Sequence, residues 1–212
     1  METQKKVKQI TLNRLERLLP EYRKLDKRDA CRKEVFFSRK SELSHILVAA
    51  EMITKKRFLP EMHSCEDIDF LYSLENEKSC IVDFGDVEFD GALYRYYIAK
   101  EQLREVVRYF LCLDICQIGK MIRLMAFGDE CGQSFLRRDV HEREYRKNAL
   151  AFFGSESVTT GCDFIYRTRK KGCCYVISEN PIYDSLYPEH PLSQLRLLVK
   201  KLMYKGNVKV AI

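Results

Sequence analysis

The sequence predicts an α+β protein in which a helical N-terminal segment is followed by two units around one mixed core, each a β-hairpin and then an α-helix. Three observations favour this fold class. Apolar residues recur at helical spacing near the N-terminus, an Asp-Gly pair separates two alternating segments, and a long apolar stretch follows that pair. A chain of 212 residues, 46% of them hydrophobic, is long enough to bury a core of its own.

Charge and composition divide the chain into a basic helical segment, residues 1–60, and an α+β domain, residues 61–212, unless both form one continuous domain. The first helix is predicted from apolar residues at helical spacing, namely Leu12, Leu15, Leu18, Leu19 and Tyr22. A second helix is predicted from the N-cap Ser41 to the cations of residues 55–57, which complement the helix dipole. Its core-facing stripe consists of Leu43, Ile46, Leu47, Ala50 and either Ile53 or Thr54.

The first hairpin is the element that the sequence indicates most strongly. Residues 80–89 and 92–98 are predicted strands, and the Asp-Gly pair between them, residues 90–91, is typical of a two-residue turn with positive φ angles. The length of this turn fixes the register of the two strands. Asp86 is therefore expected opposite Arg95, with which it would form a cross-strand ion pair.

The stretch after this hairpin is predicted to form two consecutive helices, residues 100–113 and 115–127. Asp114 would separate them, because Asp114 and Gln117 have the spacing of a capping box. The alternative interpretation makes Asp114 a buried functional acid. Since the stretch is apolar almost all the way round, we expect it at the centre of the fold.

The rest of the chain supplies the second hairpin-helix unit. The predicted elements are a basic helix at 135–152, hairpin strands at 162–168 and 173–178, a helix at 192–205 and a closing strand at 208–212. Concentrated positive charge marks the tip of this hairpin.

The nine cysteines favour reduced thiols over a disulfide framework, because their number is odd and several lie inside apolar runs. A structural zinc ion would need ligands clustered at short spacing. His63 and Cys65 are close in sequence, as are Cys112 and Cys116, but no Cys-x-x-Cys motif is present. No cofactor or metal is therefore predicted.

Charge is segregated along the chain. Residues 1–60 carry 16 Lys and Arg against 8 Asp and Glu, residues 61–94 carry one against 10, and residues 95–212 carry 20 against 13. The net charges are thus +8, −9 and +7. This segregation predicts either a dipolar surface for an acidic partner such as nucleic acid, or neutralisation of the acidic segment by its basic neighbours within the fold.

Motifs that would identify a common enzyme class are missing, including glycine-rich phosphate loops, Gly-x-Ser-x-Gly and His-Glu-x-x-His. One enzymatic alternative is a metal-dependent nuclease that uses the acidic hairpin. Its carboxylates and lysine would be Asp83, Asp86, Glu88, Asp90 and Lys100. A Glu-x-Lys element on the following strand, which such a site would need, is absent.

A second enzymatic alternative is a cysteine nucleophile. It would combine Cys162 or Cys173 with His141 or His190, which nothing in the sequence brings together. Because both alternatives lack the expected spacing, a protein without catalytic activity is favoured.

Nucleic-acid binding has broader support, since two basic segments, residues 137–147 and 167–171, could contact phosphates. The candidate residues are Arg137, Arg138, Arg146, Lys147, Arg167, Arg169, Lys170 and Lys171. Tyr145, Tyr166 and Tyr175 could stack on bases. The sequence therefore predicts a non-enzymatic regulatory protein that binds DNA or RNA.

The alternative partner is another protein. The chain would then act as an adaptor or inhibitor through its acidic segment, residues 61–94. No apolar run reaches the roughly 18 residues needed to span a bilayer, and no signal-peptide core follows the N-terminal lysines. We therefore expect a cytoplasmic or nuclear protein that does not bind membranes.

Overall fold

The computed structural model describes residues 10–25, 34–41, 44–61, 79–89, 91–103, 106–130, 165–167, 174–176 and 179–204. The helices are α1 (Leu12–Leu18) and α2 (Pro191–Tyr204), with short 3-10 turns at Lys55–Arg57 and Pro181–Tyr183. The strands are β1 (Arg23–Leu25), β2 (Glu34–Lys40), β3 (Ser44–Met52), β4 (Ser79–Phe89), β5 (Ala92–Leu103), β6 (Val106–Gln117), β7 (Lys120–Glu130), β8 (Ile165–Arg167) and β9 (Cys174–Val176).

Strands β1 to β7 form one antiparallel sheet in the order β1-β2-β3-β7-β6-β5-β4. Strands β8 and β9 pair with each other, and β9 lies beside the edge strand β4. Because β3 pairs with β7, the large sheet takes strands from both sides of the boundary that the sequence suggested at residue 60.

The predicted α+β class is therefore wrong: in the described residues the protein is mostly an antiparallel sheet with a C-terminal helix. The N-terminal segment contributes one short helix and three strands, and the helix predicted after Ser41 is strand β3. The helices predicted at 100–113 and 115–127 are the end of β5, β6 and β7. The described element that follows the first hairpin is strand β6, which pairs with β5.

Burial on both sides of the sheet explains the error in β6. Nearly every residue from Val107 to Gln117 is buried or half-buried, so this strand shows no simple apolar-polar alternation. A short run that is apolar on both faces cannot be assigned to a helix or a strand from periodicity. The turn residue Gly119, with φ +70°, joins β6 to β7 inside the stretch predicted as the second helix.

One face of the sheet, which we call the helix-covered face, packs against α1 and α2. Its buried core includes Tyr94, Leu111, Leu113, Leu124 and Ile46, packed against Leu15, Leu19, Leu195, Leu198 and Leu202. The predicted C-terminal helix is confirmed to within one residue at each end. It approaches β7 closely, because a Cβ atom on Gly128 would lie 2.9 Å from Cβ of Pro191 and 2.7 Å from Cδ1 of Ile46.

Candidate functional site

The first hairpin adopts the predicted register, with a two-residue turn at which Gly91 has φ +68°. Asp86 faces Arg95 as predicted, and its Oδ2 lies 2.7 Å from Nε of the arginine. A shift in register between Ile81 and Asp83 turns Asp83 to the opposite, helix-covered face. Asp83 and Asp86, two of the four carboxylates of the nuclease alternative, therefore lie on opposite faces of the sheet.

Arginines from the basic part of the chain that begins at residue 95 neutralise Asp83 and Asp86. Nε of Arg196 on α2 lies 2.6 Å from Asp83 Oδ2, and Arg196 is buried. Lys100, the predicted lysine of the nuclease, lies 2.7 Å from Glu179. In the described part of the chain no group of three or more His, Cys, Asp or Glu side chains could hold a metal ion. The nuclease alternative gains no support from this arrangement.

Charged residues of alternating sign cross the other face of the sheet, which we call the second face. In strand order β4, β5, β6, β7 and β3, the register aligns Asp86, Arg95, Asp114, Arg123 and Glu51. We call this row the central ladder. Both carboxylate oxygens of Asp114 lie 2.7 Å from the Arg123 guanidinium, and the hydrogen bonds raise the pKa of Arg123.

The central ladder fixes a chain segment, residues 53–61, that crosses the second face; we call it the strap. The backbone N–H of Leu59 donates to Asp114 Oδ2 at 2.7 Å, and its carbonyl accepts from Arg95 Nη1 at 2.9 Å. Arg123 donates to the carbonyl of Arg57, and Arg95 lies over the ring of Phe58. Side chains of the central ladder, which are already paired with each other, thus also form hydrogen bonds with backbone groups of the strap.

This geometry corrects the interpretation of Asp114. It is not an N-cap between helices, because it lies within β6, where it is fully buried. Its hydrogen bonds go to Arg123 and to Leu59 of the strap, which assigns it a role in architecture. The alternative of a functional acid has no further support from its contacts.

A second row of polar and charged residues crosses the same face toward the other end of the strands. In strand order β2, β3, β7, β6 and β5, the register aligns Lys40, His45, Asp129, Arg108 and Glu101. We call this row the end ladder. Asp129 accepts two hydrogen bonds from Arg108, at 2.6 and 2.9 Å, and these bonds raise the pKa of the arginine.

Between the two ladders the second face is almost wholly apolar over six strands. One row consists of Phe36, Ala49, Met125, Cys112, Tyr97 and Phe84, and the next of Ser38, Leu47, Phe127, Phe110, Ala99 and Ile81. We call these twelve residues the apolar band. Leu59 of the strap covers its β4 side by packing on Ile81, Tyr97 and Cys112, which belong to β4, β5 and β6. The end over β3 and β7 is open, since Leu47 and Phe127 are 41% and 40% exposed.

A buried polar cluster lies on the helix-covered face, where α2 begins. Nε2 of His190 lies 2.8 Å from Glu130 Oε1, and its Nδ1 accepts from the backbone N–H of Leu192 at 3.2 Å. This pattern assigns the proton to Nε2 and occupies both ring nitrogens. His190 therefore holds the start of α2 against β7 and has no free nitrogen for a cysteine nucleophile.

The second predicted hairpin is confirmed, because Ile165–Arg167 pairs antiparallel with Cys174–Val176. Of the predicted phosphate-binding residues, only Arg167 falls in the described part, at the end of β8. The others, Arg137, Arg138, Arg146, Lys147, Arg169, Lys170 and Lys171, lie outside the described residues, as do the predicted helix at 135–152 and the strand at 208–212. Tyr166 and Tyr175 are directly opposite each other.

Sequence reasoning missed both ladders and the apolar band. A signal for the central ladder was present: beyond the pair Asp86 and Arg95, Asp114 and Arg123 lie inside apolar runs and continue the alternation of sign. Treating those runs as strands would have aligned them. The apolar band leaves no such signal, because its strands are apolar on both faces of the sheet. The two faces differ only in what covers them.

A comparison with protein-family models found no match to the sequence, and a comparison with curated proteins found none either. Among the described residues, no helix is long and apolar enough to cross a membrane.

Proposed function

We propose that the protein is a non-enzymatic regulator that binds nucleic acid, in the cytoplasm or nucleus, through the hairpin formed by β8 and β9. The pairing of Arg167 with Cys174 carries this proposal. It makes residues 168–173 the connection of a two-stranded ribbon, and this connection contains Arg169, Lys170 and Lys171. Four cations within five residues, Arg167 included, favour contact with a phosphate backbone.

The ribbon also has aromatic residues next to its basic tip. Tyr166 and Tyr175 are cross-strand partners, and each lies two residues from the basic connection in the sequence. A two-stranded ribbon fits the major groove of a duplex, and aromatic rings next to cations also suit unpaired bases. The proposal therefore covers both DNA and RNA.

Internal neutralisation of the acidic segment replaces the dipolar surface considered above, and leaves the basic hairpin tip as the charge on which the proposal depends. Asp83, Asp86 and Glu61 lie within 3.2 Å of cations from the basic segment that follows, namely Arg196 and Arg95. Carboxylates held in this way present less negative charge to a partner. The net charge of +6 is then carried mainly by the remaining basic residues.

The same ion pairs weaken the alternative of an adaptor or inhibitor that binds protein through residues 61–94. Asp83 and Asp86, two of the acidic residues proposed for that interface, already bind Arg196 and Arg95. Within the described part of the segment no separate observation favours a protein partner.

Charge reversal of the hairpin tip tests the proposal. Fluorescence anisotropy with a labelled duplex and a labelled single strand would compare the wild type with a triple variant, R169E, K170E and K171E. The matched control reverses three exposed cations elsewhere, Arg17, Lys120 and Lys200, and so changes the net charge equally. We expect the hairpin variant to lose about 10-fold or more in affinity and the control to lose much less. Equal losses, or no binding by the wild type, would refute the proposal.

A further inference from the structure

The open end of the apolar band has the composition of a stacking surface. The rings of Phe110 and Phe127 lie 5.0 Å apart between their centroids, and the Arg108 guanidinium carbon lies 5.9 Å from the centre of the Phe127 ring. Leu47 of the neighbouring strand is exposed beside Phe127. An aromatic ring and a cation are thus presented together on a broad sheet face.

Cations lie on two sides of this surface, exposed on the strap side and mixed with the anions Asp129 and Glu101 in the end ladder. Arg108 and Lys40 belong to the end ladder, and Lys55, Lys56 and Arg57 form the 3-10 turn of the strap on the opposite side. The anion that pairs with the strap is less accessible than its partner, since the side chain of Glu51 is 16% exposed and that of Arg57 is 52% exposed. The accessible charge at this border is therefore positive.

We propose that the open end of the apolar band, centred on Phe127, binds single-stranded nucleic acid by stacking with unpaired bases. This inference rests on the proposed function and adds the class of nucleic acid. The bases of a single strand supply flat apolar faces, and its phosphates match the exposed cations of the strap and of Lys40. A duplex keeps its bases stacked on each other, and a sheet face several strands wide does not enter its grooves.

The lack of tryptophan in the chain allows a direct measurement of stacking. Phe127→Trp introduces one indole at the centre of the proposed surface, and Ile118→Trp introduces one at the exposed β6–β7 turn as the control. Oligothymidylate of about 16 nucleotides would be titrated into each variant. We expect the indole at 127 to be quenched at saturation, and the indole at 118 to keep its emission.

Affinity measurements separate stacking from simple apolar contact. Phe127→Leu keeps an apolar side chain of similar bulk but removes the ring, whereas Phe127→Tyr keeps the ring. We expect the leucine variant to bind the single strand about 5- to 100-fold more weakly and the tyrosine variant to bind like the wild type. Affinity for a duplex should be unchanged in both. Thermal unfolding of each variant establishes that the fold is retained.

The outcomes distinguish this inference from the function on which it rests. If the wild type binds neither single strand nor duplex, the proposed function fails and the inference fails with it. If the hairpin variant loses affinity while Phe127→Leu binds like the wild type and Phe127→Trp is not quenched, only the stacking surface is refuted. Retained affinity in the leucine variant would instead fit a face that packs against apolar protein surface.

Discussion

Asp114 on β6 and Arg123 on β7 are direct cross-strand partners whose side chains form two hydrogen bonds of 2.7 Å, and the aspartate is fully buried. Arg108 and Asp129 form the same kind of pair between the same strands, but both side chains are partly exposed. Strands β6 and β7 therefore carry two arginine-aspartate pairs of like geometry and different burial.

This contrast predicts different costs for removing the two carboxylates. Asp114→Ala should lower the free energy of unfolding by about 3–5 kcal/mol, because it leaves Arg123 without its buried partner and Leu59 N–H without an acceptor. Asp129→Ala should cost about 0–1 kcal/mol, since water can solvate Arg108. Urea unfolding of both variants measures the difference. Equal costs would contradict the role assigned to the central ladder.

A second prediction concerns alkaline pH. Burial, together with the nearby Asp114 carboxylate, raises the pKa of the Cys112 thiol from 9.0 to about 12. A group whose pKa is raised on folding contributes stability that is complete below its unfolded pKa and is lost as the pH rises through its folded pKa. The Cys112 thiol ionises first in the unfolded state, and this should lower the free energy of unfolding by about 1 kcal/mol by about pH 10.

The measurement is urea unfolding of the wild type and of Cys112→Ala between neutral pH and about pH 10. The alanine variant should lose less stability over this range than the wild type, whatever its stability at neutral pH. Cys116→Ala, at a partly exposed position on the same strand, is the control for removing a thiol. Parallel pH profiles for the wild type and Cys112→Ala would refute the prediction.

A third prediction concerns the contact between α2 and the sheet. Gly128→Ala should destabilise the protein by about 1–3 kcal/mol, because the new Cβ would lie 2.7 Å from Ile46 Cδ1 and 2.9 Å from Pro191 Cβ. Ile46→Val removes the nearer of these atoms. In a double-mutant cycle, Gly128→Ala should therefore cost less in the Ile46→Val background than in the wild type. Additive effects would show that the close approach is relieved in another way.

The sequence predicted the local features of the fold better than its overall class. The register that places Asp86 opposite Arg95 followed from the Asp-Gly turn, because a two-residue loop determines which residues face each other. The helix now observed at Pro191–Tyr204 followed from a clear apolar period on one side. The hairpin register depends on contacts close in sequence, and the helix depends on one apolar stripe.

Strands β3, β6 and β7 could not be predicted in the same way. In β3, Ile46, Leu47 and Ala50 fit a helical stripe as well as they fit a strand, because Leu47 lies on the apolar second face. Only the long-range pairing of β3 with β7 decides between the two. The candidate surface around Phe127 depends on the same pairing, so it was not visible until the sheet order was known.

The salt dependence of nucleic-acid binding tests the central claim most directly. For binding to a DNA duplex, each phosphate contact contributes about 0.9 to the slope of log K against log salt concentration. We predict that the wild type binds with a steep negative slope, and that reversing Arg169, Lys170 and Lys171 reduces the magnitude of this slope by about 2–3. The control at Arg17, Lys120 and Lys200 should retain most of the slope. A wild type that does not bind, or a hairpin variant with an unchanged slope, would contradict the account.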